Sequence, residues 1–146
     1  MRRRIVPGLV LTLVVAGCAA LDGGEWGPLA VVEAQGGGDA LIHGTIRISG
    51  DCVVLDEQGD EVLLVWPADR TRWDASSQSI TFENRDGTRD TFSDGDLVVM
   101  GGGGSSLGEG GTSSEEWVSS IDWTVRPSDA CLRDVRWFVA QVDIPQ

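Results

Sequence analysis

The 146-residue chain has no lysine and no tyrosine, and its single histidine is His43. Without lysine there is no P-loop, which needs Gly-Lys-Ser/Thr opening a helix, so the glycine cluster Gly101-Gly102-Gly103-Gly104 is not a phosphate cradle of that kind. With one imidazole, a Ser–His–acid triad would have to use His43. That residue lies in an alternating run, with no nucleophile-elbow sequence near any serine, and reads as a solvent-facing strand position. No CxxC spacing occurs, which leaves a zinc site without its usual ligands. Long apolar runs are missing too: Ile5 to Ala16 gives about a dozen residues, where a bilayer span needs ~20. No extended 3.6-residue apolar stripe appears either, which argues against a helical bundle.

Carboxylates, glycine and tryptophan are plentiful. There are 23 Asp and Glu against 11 Arg, for a formal net charge of −12, together with 20 Gly and six Trp. Such acidity argues against nucleic-acid binding, because phosphate contact needs concentrated positive charge. The basic residues are also unevenly placed. Arg2-Arg3-Arg4 precede the apolar run Ile5 to Ala16, the order of a signal peptide's n-region and h-region. The run closes on Val15-Ala16-Gly17-Cys18. This stretch resembles the lipobox of bacterial lipoproteins, in which an aliphatic residue, a small residue and Gly or Ala precede a Cys. The resemblance implies cleavage before Cys18, which would then carry diacylglycerol and lie on the extracytoplasmic face of the cell membrane. Removing residues 1–17 leaves eight arginines against 23 carboxylates, a net charge of −15. A surface of that sign does not adhere to anionic lipid, so the acyl chains would have to hold the protein there.

After lipidation of Cys18 the remaining cysteines are Cys52 and Cys131. In an exported protein an even pair reads as one disulfide, with buried free thiols as the alternative. From residue 18 to residue 39 the chain is small, acidic and Gly-rich and is expected to be a flexible tether, on which Trp26, Leu29, Val31 and Val32 could dock to the domain. The domain is expected over residues 40–146. Ile42, Gly44, Ile46 and Ile48 alternate with polar residues. Cys52 to Leu55, Val62 to Trp66, Ser79 to Glu83, Thr88 to Phe92 and Leu97 to Met100 follow as strands, with Asn84-Arg85-Asp86-Gly87 as a hairpin turn. Residues 101–116 are rich in Gly and Ser and are expected to form a mobile loop. Trp117 to Val125 alternates like a strand, Ser128 to Cys131 suits a turn or short helix, and Val135 to Val142 makes the last strand. The fold class is all-β: a small closed or partly open barrel, OB-like, with a sandwich as the alternative. The segment Gly44 to Gly104 (Gly44 to Ile48, Cys52 to Leu55, Val65-Trp66-Pro67, Gly95-Asp96) also resembles small exported domains of high-GC bacteria, a likeness that implies no activity.

Candidate sites are few. Asp86, Asp90, Asp94 and Asp96 lie in or beside acidic turns and could offer oxygens to calcium, which needs six to eight converging ligands. No EF-hand pattern is present, Asp-Gly turns account for most of these residues, and no cofactor is expected. Trp66 and Trp137 sit in apolar strands and read as core. Trp73, in Arg70-Thr71-Arg72-Trp73-Asp74, is expected in a polar loop and is the candidate ligand-binding aromatic, with packing onto the barrel end as the alternative. The function expected is a membrane-anchored, non-catalytic binding or interaction module for an envelope protein or glycan. The alternative is a small envelope hydrolase using paired carboxylates near Trp73.

Overall fold

Short alternating apolar runs, ended by Asp-Gly and Gln-Gly turns, fold into ten strands among the described residues. The computed structural model describes residues 25–34, 37–106 and 113–145. The strands are β1 (Ala30–Val32), β2 (Ala40–Ile48), β3 (Val53–Glu57), β4 (Asp60–Pro67), β5 (Thr71–Asp74), β6 (Ser79–Glu83), β7 (Arg89–Ser93), β8 (Leu97–Ser106), β9 (Trp123–Val125) and β10 (Val135–Asp143). A short helix α1 (Ser114–Ser120) and a 3-10 turn (Asp129–Cys131) flank β9.

Five strands close a barrel in the order β2-β3-β4-β10-β8 and back to β2. Four of the five seams are antiparallel. The fifth is parallel and lays Val135–Phe138 of β10 beside Val62–Val65 of β4. This is the small OB-like barrel expected of the sequence. A second sheet, β5-β6-β7, packs its apolar face against the barrel in the manner of a sandwich. Ile80, Phe82 and Phe92 from that face reach Trp66, which is fully buried, with the Trp66 and Phe92 rings stacked at 5.8 Å. Truncating an aromatic in such a place typically costs about 3–5 kcal/mol.

Period-two alternation gives β3, β4 and β10 a second apolar face on the outside of the barrel. Val54, Leu63 and Val65 project there, and the segment from α1 to the 3-10 turn covers them with Trp117, Val118, Ile121, Trp123 and Leu132. A disulfide between Cys52 and Cys131, with Cα atoms 5.3 Å apart and a sequence separation of 79, fixes this cover to the start of β3. The pairing is the one expected of the sequence. It joins the barrel wall to its covering segment.

Four expectations are corrected. Residues 25–34 are packed rather than a free tether, so the domain starts by residue 25, not 40. Val31 is fully buried, and β1 lies parallel to β4 and antiparallel to β9. Those partners lie more than 30 residues away, so no turn signal announces the strand. The expected loop 101–116 is largely ordered: Gly101–Ser106 belongs to β8, α1 begins at Ser114, and only residues 107–112 of it lie outside the described part. Glycine supplies the reason, because a Cβ on Gly102 or Gly104 would stand 2.8 Å from the Trp137 indole and against the β10 backbone. The missing side chains make room for Trp137 inside the barrel. Trp117 opens no strand and instead sits in α1. Finally, Trp73 lies in β5 rather than in a polar loop.

Candidate functional site

Alternation along β5 sends Thr71 and Trp73 toward the barrel and Arg72 and Asp74 outward. Trp73 is half-buried against the core, and its indole lies on Gly27. Gly27 adopts φ +50°, and a Cβ there would collide with the ring. The turn formed by residues 25–28 therefore seats the incoming chain on Trp73. Beside this turn a cavity of about 310 Å³ is lined by Gly27, Pro28, Ile48, Ser49, Gly50, Trp73, Ala75 and Gln78. None of these eight residues bears a charged side chain. In a chain of net −12 that is unusual local chemistry, and it suits an uncharged or amphipathic group that can lie on an indole.

The other depressions are charged. One of about 370 Å³ between residues 37–41, Asn84–Asp86 and Ala140–Asp143 has Asp39, Asp86, Asp143 and Arg85 on its walls. Another, near the disulfide, contains Arg133 bound to Glu61 at 2.7 Å and Arg47 at 3.7 Å from Asp56. These exposed pairs neutralise one another and contribute little to stability.

The sequence-derived calcium candidates do not come together. Asp86 and Asp94 lie in turns before and after the five-residue β7, at opposite ends of a strand about 17 Å long. Each carboxylate is also engaged locally. Asp86 accepts from the Thr88 amide and hydroxyl, Asp90 from the Asn84 side-chain amide, Asp94 from the Ile48 amide, and Asp96 from the Ser93 amide. Among the described residues no group of three or more His, Cys, Asp or Glu converges to hold a metal ion. His43 is exposed on β2.

Asp74 is the carboxylate next to Trp73. The Ser76 hydroxyl and amide and the Ser77 amide donate to it at 2.6, 2.8 and 3.2 Å. The Ser76 bonds lead in holding its pKa below the ordinary carboxylate value. The residue that sequence reasoning missed is Arg136. Strand alternation points it outward, but α1 covers it, and its guanidinium carbon lies 4.4 Å from the Trp117 ring centre. Burial lowers its pKa, opposed by Asp134. Its Nη2 has no hydrogen-bond partner among the described residues.

Cys18 and the residues of the signal-peptide pattern lie outside the described residues. Comparison of the chain with protein-family models, curated proteins and solved structures returns no match.

Proposed function

We propose that the protein is an extracytoplasmic lipoprotein, anchored through diacylglyceryl-Cys18, that acts as a non-catalytic binding module through the cavity beside Trp73. The sequence pattern Arg2 to Cys18 supports the anchor. One observation carries the binding reading: a concave site with an indole in its wall and no charged lining, on a domain that is acidic elsewhere. The hydrolase alternative fares worse at the same place. Glycoside hydrolysis needs two carboxylates facing the substrate, and the lining of this cavity contains none.

Calorimetric titration of the mature domain with neutral oligosaccharides and with zwitterionic lipid headgroup analogues tests the site. Binding that Trp73→Ala weakens at least tenfold, while Trp123→Ala leaves it unchanged, supports the reading. Saturable binding that ignores Trp73 moves the site elsewhere. For the anchor, intact mass of the membrane fraction should show loss of residues 1–17 and gain of a diacylglyceryl group. A Cys18→Ala precursor that still matures and stays membrane-bound would refute it.

A further inference from the structure

The Trp73 cavity is not isolated. It shares Ile48 and Ser49 with the depression near the disulfide, so the end of β2 is a common lip between a neutral space of about 310 Å³ and a charged one of about 440 Å³. Gly50 continues the lip with open space beside it, since a Cβ there would meet nothing within 4 Å. Trp73 packs toward the core and gives the neutral space a wall rather than a free platform.

The charged space is out of balance. Its two arginines are engaged, Arg133 by Glu61 at 2.7 Å and Arg47 by Asp56 at 3.7 Å. Asp51 and Asp94 remain, both exposed and neither in a salt bridge among the described residues. The Ile48 amide donates to Asp94 Oδ1 at 2.8 Å, which fixes that carboxylate at the shared lip. Asp51 follows Gly50 in a turn closed by two bonds: the Ser49 amide donates to the Cys52 carbonyl, and the Cys52 amide to the Ser49 hydroxyl. Next to Trp73, Arg72 is spent on the Thr71 carbonyl at 2.7 Å, and Asp74 is turned outward and held by Ser76 and Ser77.

A ligand that fills both spaces must present an uncharged, partly apolar group to Trp73 and Ile48 and a cation to Asp51 and Asp94. A small amine would satisfy the carboxylates and leave the neutral space empty. A neutral sugar would leave the carboxylates facing water. An extended peptide meets both demands, because its residues i and i+2 lie on one face about 7 Å apart, enough to cross a lip two residues wide. The net charge of −12 steers a basic partner toward the chain in the first place.

We infer that the occupant of the Trp73 cavity is a basic peptide segment of a partner protein. An aliphatic side chain of the segment lies beside Trp73, and an arginine or lysine reaches over the Ile48–Ser49 lip to Asp51 and Asp94. This deepens the binding reading above and rests on it, and it does not depend on the lipid anchor.

The test titrates the full-length chain, in nonionic detergent, with an acetylated and amidated pentapeptide carrying leucine and arginine two residues apart. The same peptide with citrulline, the neutral counterpart of arginine, is titrated alongside. The arginine peptide should bind at least fivefold more tightly, and the gap should narrow as salt rises. Asp51→Asn combined with Asp94→Asn should erase the preference. Asparagine keeps a side-chain oxygen for the Ile48 amide, so the lip is preserved. Asp39→Asn combined with Asp143→Asn removes the same charge from the depression at the other end of β2, a nine-residue strand about 30 Å long. That variant should keep the preference within about twofold. Equal loss in the two double variants would reduce the effect to the net charge of the chain and overturns the proposal. Equal affinity for the two peptides, or no binding of either, overturns it too. The oligosaccharide titration then judges the reading beneath it. Saturable binding that Trp73→Ala weakens keeps the cavity as a site for neutral ligands, and no Trp73-dependent binding of any probe removes it.

Discussion

At the scale of single residues, the glycines of β8 show how an absent side chain can shape a core. Gly102 faces the barrel interior and Gly103 the outside, because strand residues alternate. A Cβ at Gly102 meets the Phe138 carbonyl and the Trp137 indole, and one at Gly103 meets nothing within 4 Å. Gly102→Ala should therefore cost about 1–3 kcal/mol through overpacking. Gly103→Ala should be neutral or stabilising by up to about 1 kcal/mol, because it restricts the unfolded chain. Urea unfolding of the two variants measures the difference. Equal destabilisation by both would mean that β8 is not placed against Trp137 as described. The same alternation misleads at Arg136, which belongs on a polar outer face until Trp117 lies over it.

At the scale of elements, α1 rests on a capping box. The Ser113 hydroxyl accepts from the Glu116 amide at 3.2 Å, and the Glu116 carboxylate accepts from the Ser113 amide at 3.1 Å. Ser113→Ala should lower stability by about 1 kcal/mol and speed amide exchange in α1 more than in β3 or β4. Uniform acceleration across the domain would show that the cap governs no separate element. The Ser-x-x-Glu signal was present in the sequence. It was obscured by the glycine-rich residues before it and by Trp117, Ile121, Trp123 and Val125, which also fit a strand's period of two. The hairpins were far more legible. Asn84-Arg85-Asp86-Gly87 marks a local turn, and β6-β7 pair across it as the sequence suggests; β3-β4 pair across an equally short turn. β1 was not legible, since a strand paired in parallel with a distant partner leaves only its three apolar residues as a trace. Trp73 stands out in the sequence, but its neighbours Gly27, Pro28 and Ile48 come from parts of the chain that no spacing rule connects to it.

At the scale of the whole molecule, the outer face of β3, β4 and β10 is sheathed by residues 113–134 and held by the Cys52–Cys131 bond. Closing a loop of 79 residues should contribute roughly 4 kcal/mol in the chain-entropy model. A Cys52→Ser, Cys131→Ser double variant should accordingly unfold at lower urea, with α1 and β9 losing exchange protection before the barrel does. Unchanged stability would show that the cover holds by packing alone.

The parallel seam between β4 and β10 has a consequence in time as well as in space. Residues 62–65 wait for residues 135–138, about 70 residues later in the chain. A chain synthesised from its N-terminus can form β3-β4 and β6-β7 early, because each needs only a nearby turn. The cylinder itself cannot shut until residues 135–138 are free to move into place. Pairings so distant in sequence are slow to form. Until those residues arrive the polypeptide is therefore a string of hairpins beside an open cylinder.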